Sequence, residues 1–210
     1  MSRPFIFKSE LWIPRYTGIR VYSVREFIET LKIIDKFSIF YHMYINIFNY
    51  HNLPTFYTNS ISFWFYKNGH LLLAEKISII DPLDYYDLDD LRNALVQTLE
   101  KNYNKDLDKK EKLTPFYFIK AEREIIDCER IANTLDQFVE GIKKSSINSL
   151  FYHLITSRIE NKTLVNDYSS WLLSIGEAKK AEKINKLDLY IMNLYEVKKE
   201  IIKILENETC

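Results

Sequence analysis

Ser38-Ile39-Phe40-Tyr41-His42 returns, one residue changed, as Ser149-Leu150-Phe151-Tyr152-His153. Sliding the chain on itself by 111 positions pairs Pro4, Phe5, Phe7, Phe27, Glu29, Lys32, Ser38, Phe40, Tyr41 and His42 with identical residues and no gap. Ten identities across the 39 positions from Pro4 to His42 are well above chance, so the chain is a duplication. The offset then falls to 107, pairing Asn59 with Asn166, Trp64 with Trp171, Gly69 with Gly176, Ala74-Glu75-Lys76-Ile77 with Ala181-Glu182-Lys183-Ile184, and Asp81 with Asp188. At 106, Leu88, Leu99 and Glu100 meet Leu194, Leu205 and Glu206. A unit of this length exceeds a solenoid repeat and reads as two fused copies of a small domain.

The 210 residues carry 29 basic and 29 acidic side chains, so no broad field draws the chain to nucleic acid or an anionic membrane. Hydrophobic and charged content, 47% and 28%, are those of a globular protein, and 15% aromatic is rich. Four glycines and five prolines argue for helices over a turn-rich β fold. Cys128 and Cys210 match no zinc or redox spacing and read as free thiols in a reducing compartment. Lys8 and Glu10 interrupt any signal peptide, and no apolar run reaches the roughly 18 residues of a membrane span. The expected location is the cytoplasm.

Along each copy, the Pro-Phe-x-Phe segment favours a brief strand or extended arm. Ser23-Val24-Arg25-Glu26 and Thr134-Leu135-Asp136-Gln137 fit a capping box that starts a helix. Ser38 and Ser149 are expected to cap a second helix, and Asn59 and Asn166 a third, which holds Trp64 or Trp171 and ends at Gly69 or Gly176. A fourth follows, and a fifth starts near Asp87 or Asn193. The fold class expected is therefore mainly α: two tandem homologous helical subdomains of about five helices each, with a short strand at the head of each. The copies would span 1–104 and 113–210, joined by the charged linker 105–112.

Pro-Phe-x-Phe, a capped helix, Ser-x-Phe-Tyr-His, Asn-x-x-x-x-Trp and Ala-Glu-Lys-Ile in this order resemble a prokaryotic family known only as a domain of unknown function, in which the unit is similarly doubled. The resemblance covers essentially the whole chain and implies no activity. Its members tend to carry a second histidine two places after the first and Asn-Asp before the tryptophan. Here the first copy has Tyr44 and Ser60 at those places, and the second has Ile155 but keeps Asn166-Asp167.

No nucleophile elbow, phosphate-binding glycine loop or metal spacing appears, and neither metal nor cofactor is expected. The shared polar and aromatic set is Tyr41, His42, Asn59 and Trp64 with Tyr152, His153, Asn166 and Trp171. It offers a ligand site if the copies meet at a pseudo-twofold cleft, together with Glu75, Glu182, Asp81 and Asp188 as acid-base pairs. The plainer reading makes each histidine an interior hydrogen bonder between the second helix and the tryptophan helix. Twelve aromatics between 37 and 66, against four between 148 and 173, mark Tyr44, Phe48, Tyr50, Phe56 and Tyr57 as a partner surface. The leading expectation is a non-catalytic cytoplasmic binding or scaffold module, joined to another protein or to its own copy, with a small-ligand protein or enzyme as the alternative.

Overall fold

The arm at the head of each copy is a strand of 17 residues, β1 (Phe5–Val21) and β2 (Phe116–Ala132). In this computed structural model, which describes residues 3–48, 57, 59–108, 113–190 and 192–207, the two strands form one sheet. Links from Tyr22 to Leu113, Thr17 to Phe118, Arg15 to Glu122 and Glu10 to Arg123 run in opposite senses, so the pairing is antiparallel. At the head of each strand the pleat buries Phe5 and Phe7, or Phe116 and Phe118, and turns Ile6 or Tyr117 to solvent.

Helices follow each strand. After β1 come α1 (Val24–Ile33), α2 (Lys36–Phe48), α3 (Ser60–Lys67), α4 (Leu71–Ser78) and α5 (Leu88–Asn102). After β2 come α6 (Leu135–Lys144), α7 (147–160), α8 (Asp167–Ser174), α9 (Ala178–Asn185) and α10 (Leu194–Glu206). Within α7 a π-turn at Tyr152–Thr156 separates Ile147–Phe151 from Ser157–Glu160. Of the expected linker, Lys105–Asp108 form a 3-10 turn and 109–112 lie outside the described residues.

Local chemistry sets these boundaries. Ser23 and Thr134 accept from the N–H groups of Glu26 and Gln137, while the Glu26 and Gln137 side chains reach back one residue before the cap, to the N–H groups of Tyr22 and Asn133. Asn59, Asn166, Asp87 and Asn193 each cap a helix. Gly69 and Gly176, at φ 77° and 88°, take the left-handed step that stops α3 and α8. Ser38 and Ser149 are not caps: Asp35 Oδ1 accepts from Phe37 N before α2, and Ser146 Oγ from Ser149 N before α7.

The fold is thus mixed α/β, not mainly α, and the copies are not tandem subdomains. Antiparallel pairing carries both strands far past the Pro-Phe-x-Phe segment, in β1 through Pro14 and Gly18, residues that ordinarily interrupt a strand. One compact unit comprises Met1–Leu11 and Arg123–Cys210, and the other Trp12–Glu122. Each helical set therefore takes the head of its strand from the other copy. We call Trp12–Glu122 the N-copy unit, after its helices α1 to α5, and the other the C-copy unit.

The exchanged aromatics build both cores. In the N-copy unit Phe27 of α1 meets Trp64, Phe116 and Phe118 at ring-centroid distances of 5.2, 5.0 and 5.4 Å. In the C-copy unit Phe138 of α6 meets Trp171, Phe5 and Phe7 at 4.5, 4.9 and 5.9 Å. Burying each strand phenylalanine contributes about 1.5–3 kcal/mol, so without the exchanged head each core loses several kcal/mol.

Candidate functional site: a doubled strand clamp

Serine and histidine at i and i+4 share one helix face, one turn apart. In a strand, the N–H and C=O of one residue point the same way. Ser149 and His153 use this match to grip Lys8: Ser149 Oγ donates to its carbonyl (2.6 Å) and its N–H donates to His153 Nε2 (2.9 Å). Trp171 Nε1 donates to Arg3 O at 3.0 Å. In the N-copy unit Ser38 and His42 grip Ile119 at 2.8 and 3.0 Å, and Trp64 Nε1 donates to Thr114 O at 2.7 Å. The gripped residues lie 111 apart, so both clamps are one device.

The clamp fixes the histidine tautomer. Nε2 faces a donor and must accept, so Nδ1 carries the proton and gives it to Ser60 Oγ (2.7 Å) or Asp167 Oδ2 (2.9 Å), the first residue of the tryptophan helix. Both rings are buried, and desolvation pushes the His42 pKa down to about 3 and that of His153 below its ordinary value despite Asp167. With both nitrogens occupied, neither ring has a lone pair for a metal or a proton. The serines and histidines hold the strand and do not pair as nucleophile and base.

His42 and His153 belong to different units, and each is saturated within its own. Tyr41 packs edge-on against its histidine at 5.2 Å, as Tyr152 does at 4.9 Å, and Tyr152 Oη also donates to Glu160 (2.9 Å). Asn59 and Asn166 are caps; Asn166 Nδ2 bonds Asn185, whereas Asn59 Nδ2 is buried without a partner among the described residues. Glu75 is exposed, Glu182 pairs with Lys186, and Asp81 and Asp188 hold local turns through Leu83 N and Tyr190 N. Of the expected partner surface, Tyr44 is core, bonded to Pro82 O at 2.6 Å, and Tyr57 is half-buried against Tyr66. Tyr50, Phe56 and the Phe48 side chain lie outside the described residues.

Sequence reasoning missed a charge network built on buried Glu10 in the C-copy unit. Glu10, 1% exposed, accepts from Thr156 Oγ1 (2.6 Å) and Arg123 Nε (3.1 Å), and Arg123 Nη2 donates to Glu160 (2.7 Å). The matching positions in the N-copy unit are Ala121, Ile45 and Trp12, and Trp12 packs on Phe40 at 4.6 Å. Comparing copies where an apolar residue meets a polar one would have found it. Beside this network Arg3, Lys8, Tyr152, Asn161, Asp167 and Ser170 line a cleft of about 430 Å³. Among the described residues no three metal-ligating side chains converge, and no helix is long and apolar enough to cross a membrane.

Fold and clamp together define a class: a duplicated α/β protein whose copies exchange strand heads and lock them with Ser, His and Trp. The chain belongs to the family of unknown function DUF5752, which matches residues 2–206. It is similar to the solved structure of OrfY from Thermoproteus tenax, at 26% identity and a TM-score of 0.83 over 97% of this chain and 94% of that one. No curated protein matches it.

Proposed function

We propose that the protein is a non-catalytic cytoplasmic binding module that acts through protein–protein contacts, with its strands as the contact surface and a second copy of the chain as partner. The supporting observation is where apolar surface is left open. Among the described residues, nine of 18 exposed large hydrophobic residues lie on the two strands: Ile6, Leu11, Ile13, Tyr16, Ile19, Tyr117, Ile125, Ile126 and Ile131. Such concentration on an unpacked surface marks an interaction site. Charge favours self-association. The N-copy strands expose Arg15 and Arg20 against Glu122, with Lys120 half-buried, while the C-copy strands expose Glu124, Asp127 and Glu129, with Lys8, Arg123 and Arg130 half-buried. A symmetric pair can set the basic segment of one copy against the acidic segment of the other. A cytoplasmic setting agrees with Cys128 as a free thiol.

Sedimentation velocity on the full chain tests this. The expected result is a dimer at micromolar concentration that weakens with salt and becomes monomeric in a Tyr16→Asp, Ile126→Asp variant of unchanged melting temperature. A wild-type chain that stays monomeric at every concentration overturns the reading.

A further inference from the structure

We infer that the C-copy unit holds an anion-binding site in the cleft between the head of β1, α7 and α8, fitted to a small organic molecule bearing a carboxylate or a phosphate. Two cations, Arg3 and Lys8, line it. Among the described residues neither side chain has an ion-pair or hydrogen-bond partner; the clamp uses only their main-chain atoms. Opposite them stands one carboxylate, Asp167, whose oxygens are occupied by His153 Nδ1–H and Asn161 Nδ2 (3.0 Å). Two cations against one carboxylate leave one net positive charge, because His153 is neutral. The exposed Ser170 hydroxyl supplies a further donor at the rim. A cleft of about 430 Å³ has the volume of small-molecule sites.

The duplication provides an internal control. At the positions of Arg3 and Lys8 the N-copy unit has Thr114 and Ile119, and at those of Asp167 and Ser170 it has Ser60 and Phe63. Both units keep the clamp with its histidine and tryptophan, so architecture does not require the cations. Only the C-copy unit carries them, together with the network of buried Glu10, Arg123 and exposed Glu160, which reaches the cleft wall through Tyr152. The N-copy unit thus supplies the structural version of a fold whose other copy is equipped to bind. This inference stands independently of the dimer.

The test is calorimetric and fluorescence titration of the full chain with sodium phosphate and, separately, sodium acetate, against sodium chloride at matched ionic strength. Arg3→Thr with Lys8→Ile installs the N-copy residues and leaves every clamp bond in place, so the variant folds, as its melting temperature checks. The expected result is saturable binding of one or both anions by the wild type, weakened about tenfold or more in the double variant. Phosphate alone names a phosphoryl ligand, and acetate alone a carboxylate. No saturable binding beyond chloride, or equal binding by the folded double variant, overturns the site.

Discussion

Lys8 and His153, 145 residues apart in sequence, meet through a hydrogen bond of 2.9 Å from the strand N–H to the imidazole Nε2. The bond joins the head of the first copy to the helices of the second, and Ile119 and His42 return the exchange at 3.0 Å. A helix face here does what a neighbouring strand would do, satisfying both main-chain groups of one strand residue.

If the clamp acts as a unit, its parts are coupled. Ser149→Ala leaves the Lys8 carbonyl short of a donor and should cost about 1–2 kcal/mol. His153→Ala opens a cavity and strands the Lys8 N–H, for about 3–5 kcal/mol. Because both side chains hold the same residue, the double variant should lose less than the sum of the two in urea unfolding. Strict additivity would mean they act separately.

Acid should destabilise the fold through these rings. His42 has its pKa lowered in the folded state from 6.5 to about 3, and that of His153 is also lowered. The unfolded chain therefore binds protons that the folded chain refuses, and stability present above pH 6.5 is lost as pH falls toward 3. His42 contributes a slope of up to about 1.4 kcal/mol per pH unit in that window, and His153 adds a slope of the same sign below pH 6.5. Melting temperature followed against pH should show this slope, and a His42→Gln, His153→Gln variant should have a shallower one.

Glu129 sits at φ 51° where the other copy has Gly18 at φ 81°, the same bend in both strands. A left-handed conformation costs a side-chain-bearing residue about 1–2 kcal/mol. Glu129→Gly should raise stability by about 1 kcal/mol, and Gly18→Ala should lower it similarly. Calorimetric melting of both variants checks the opposite signs.

In α6, Gly141 occupies a helical position where alanine would ordinarily be better. An added Cβ would lie 2.3 Å from the ring of Phe7, the exchanged strand residue. Gly141→Ala should therefore destabilise by about 1–3 kcal/mol despite its helix propensity. Trimming the ring in a Phe7→Leu, Gly141→Ala double variant should recover part of the loss.

Much of this was legible in the residues. The duplication is plain from Ser-x-Phe-Tyr-His, and Asn59, Asn166, Gly69 and Gly176 mark helix ends because capping is local chemistry. The strand length was not legible, since Pro14, Gly18 and the consecutive Ile125 and Ile126 break the alternation that signals a strand. Nor was the exchange, because similar copies do not say which strand head packs on which helices. Ser38 and Ser149 look like caps because each precedes an apolar run, yet Asp35 and Ser146 supply side chains to the free N–H groups near the helix starts and release those serines for the strand. Glu10 carried no local signal at all; its partners Thr156 and Arg123 are 146 and 113 residues away.

The histidines shared by the two copies are structural acceptors, not acids, bases or metal ligands. Nitrogen-15 NMR of the full chain, with His42 and His153 assigned by substitution, tests it most directly. Both rings should be neutral and protonated on Nδ1, with no titration between about pH 5 and 8, the window in which an unperturbed histidine changes charge. A ring that titrates in that window, or carries its proton on Nε2, would contradict it.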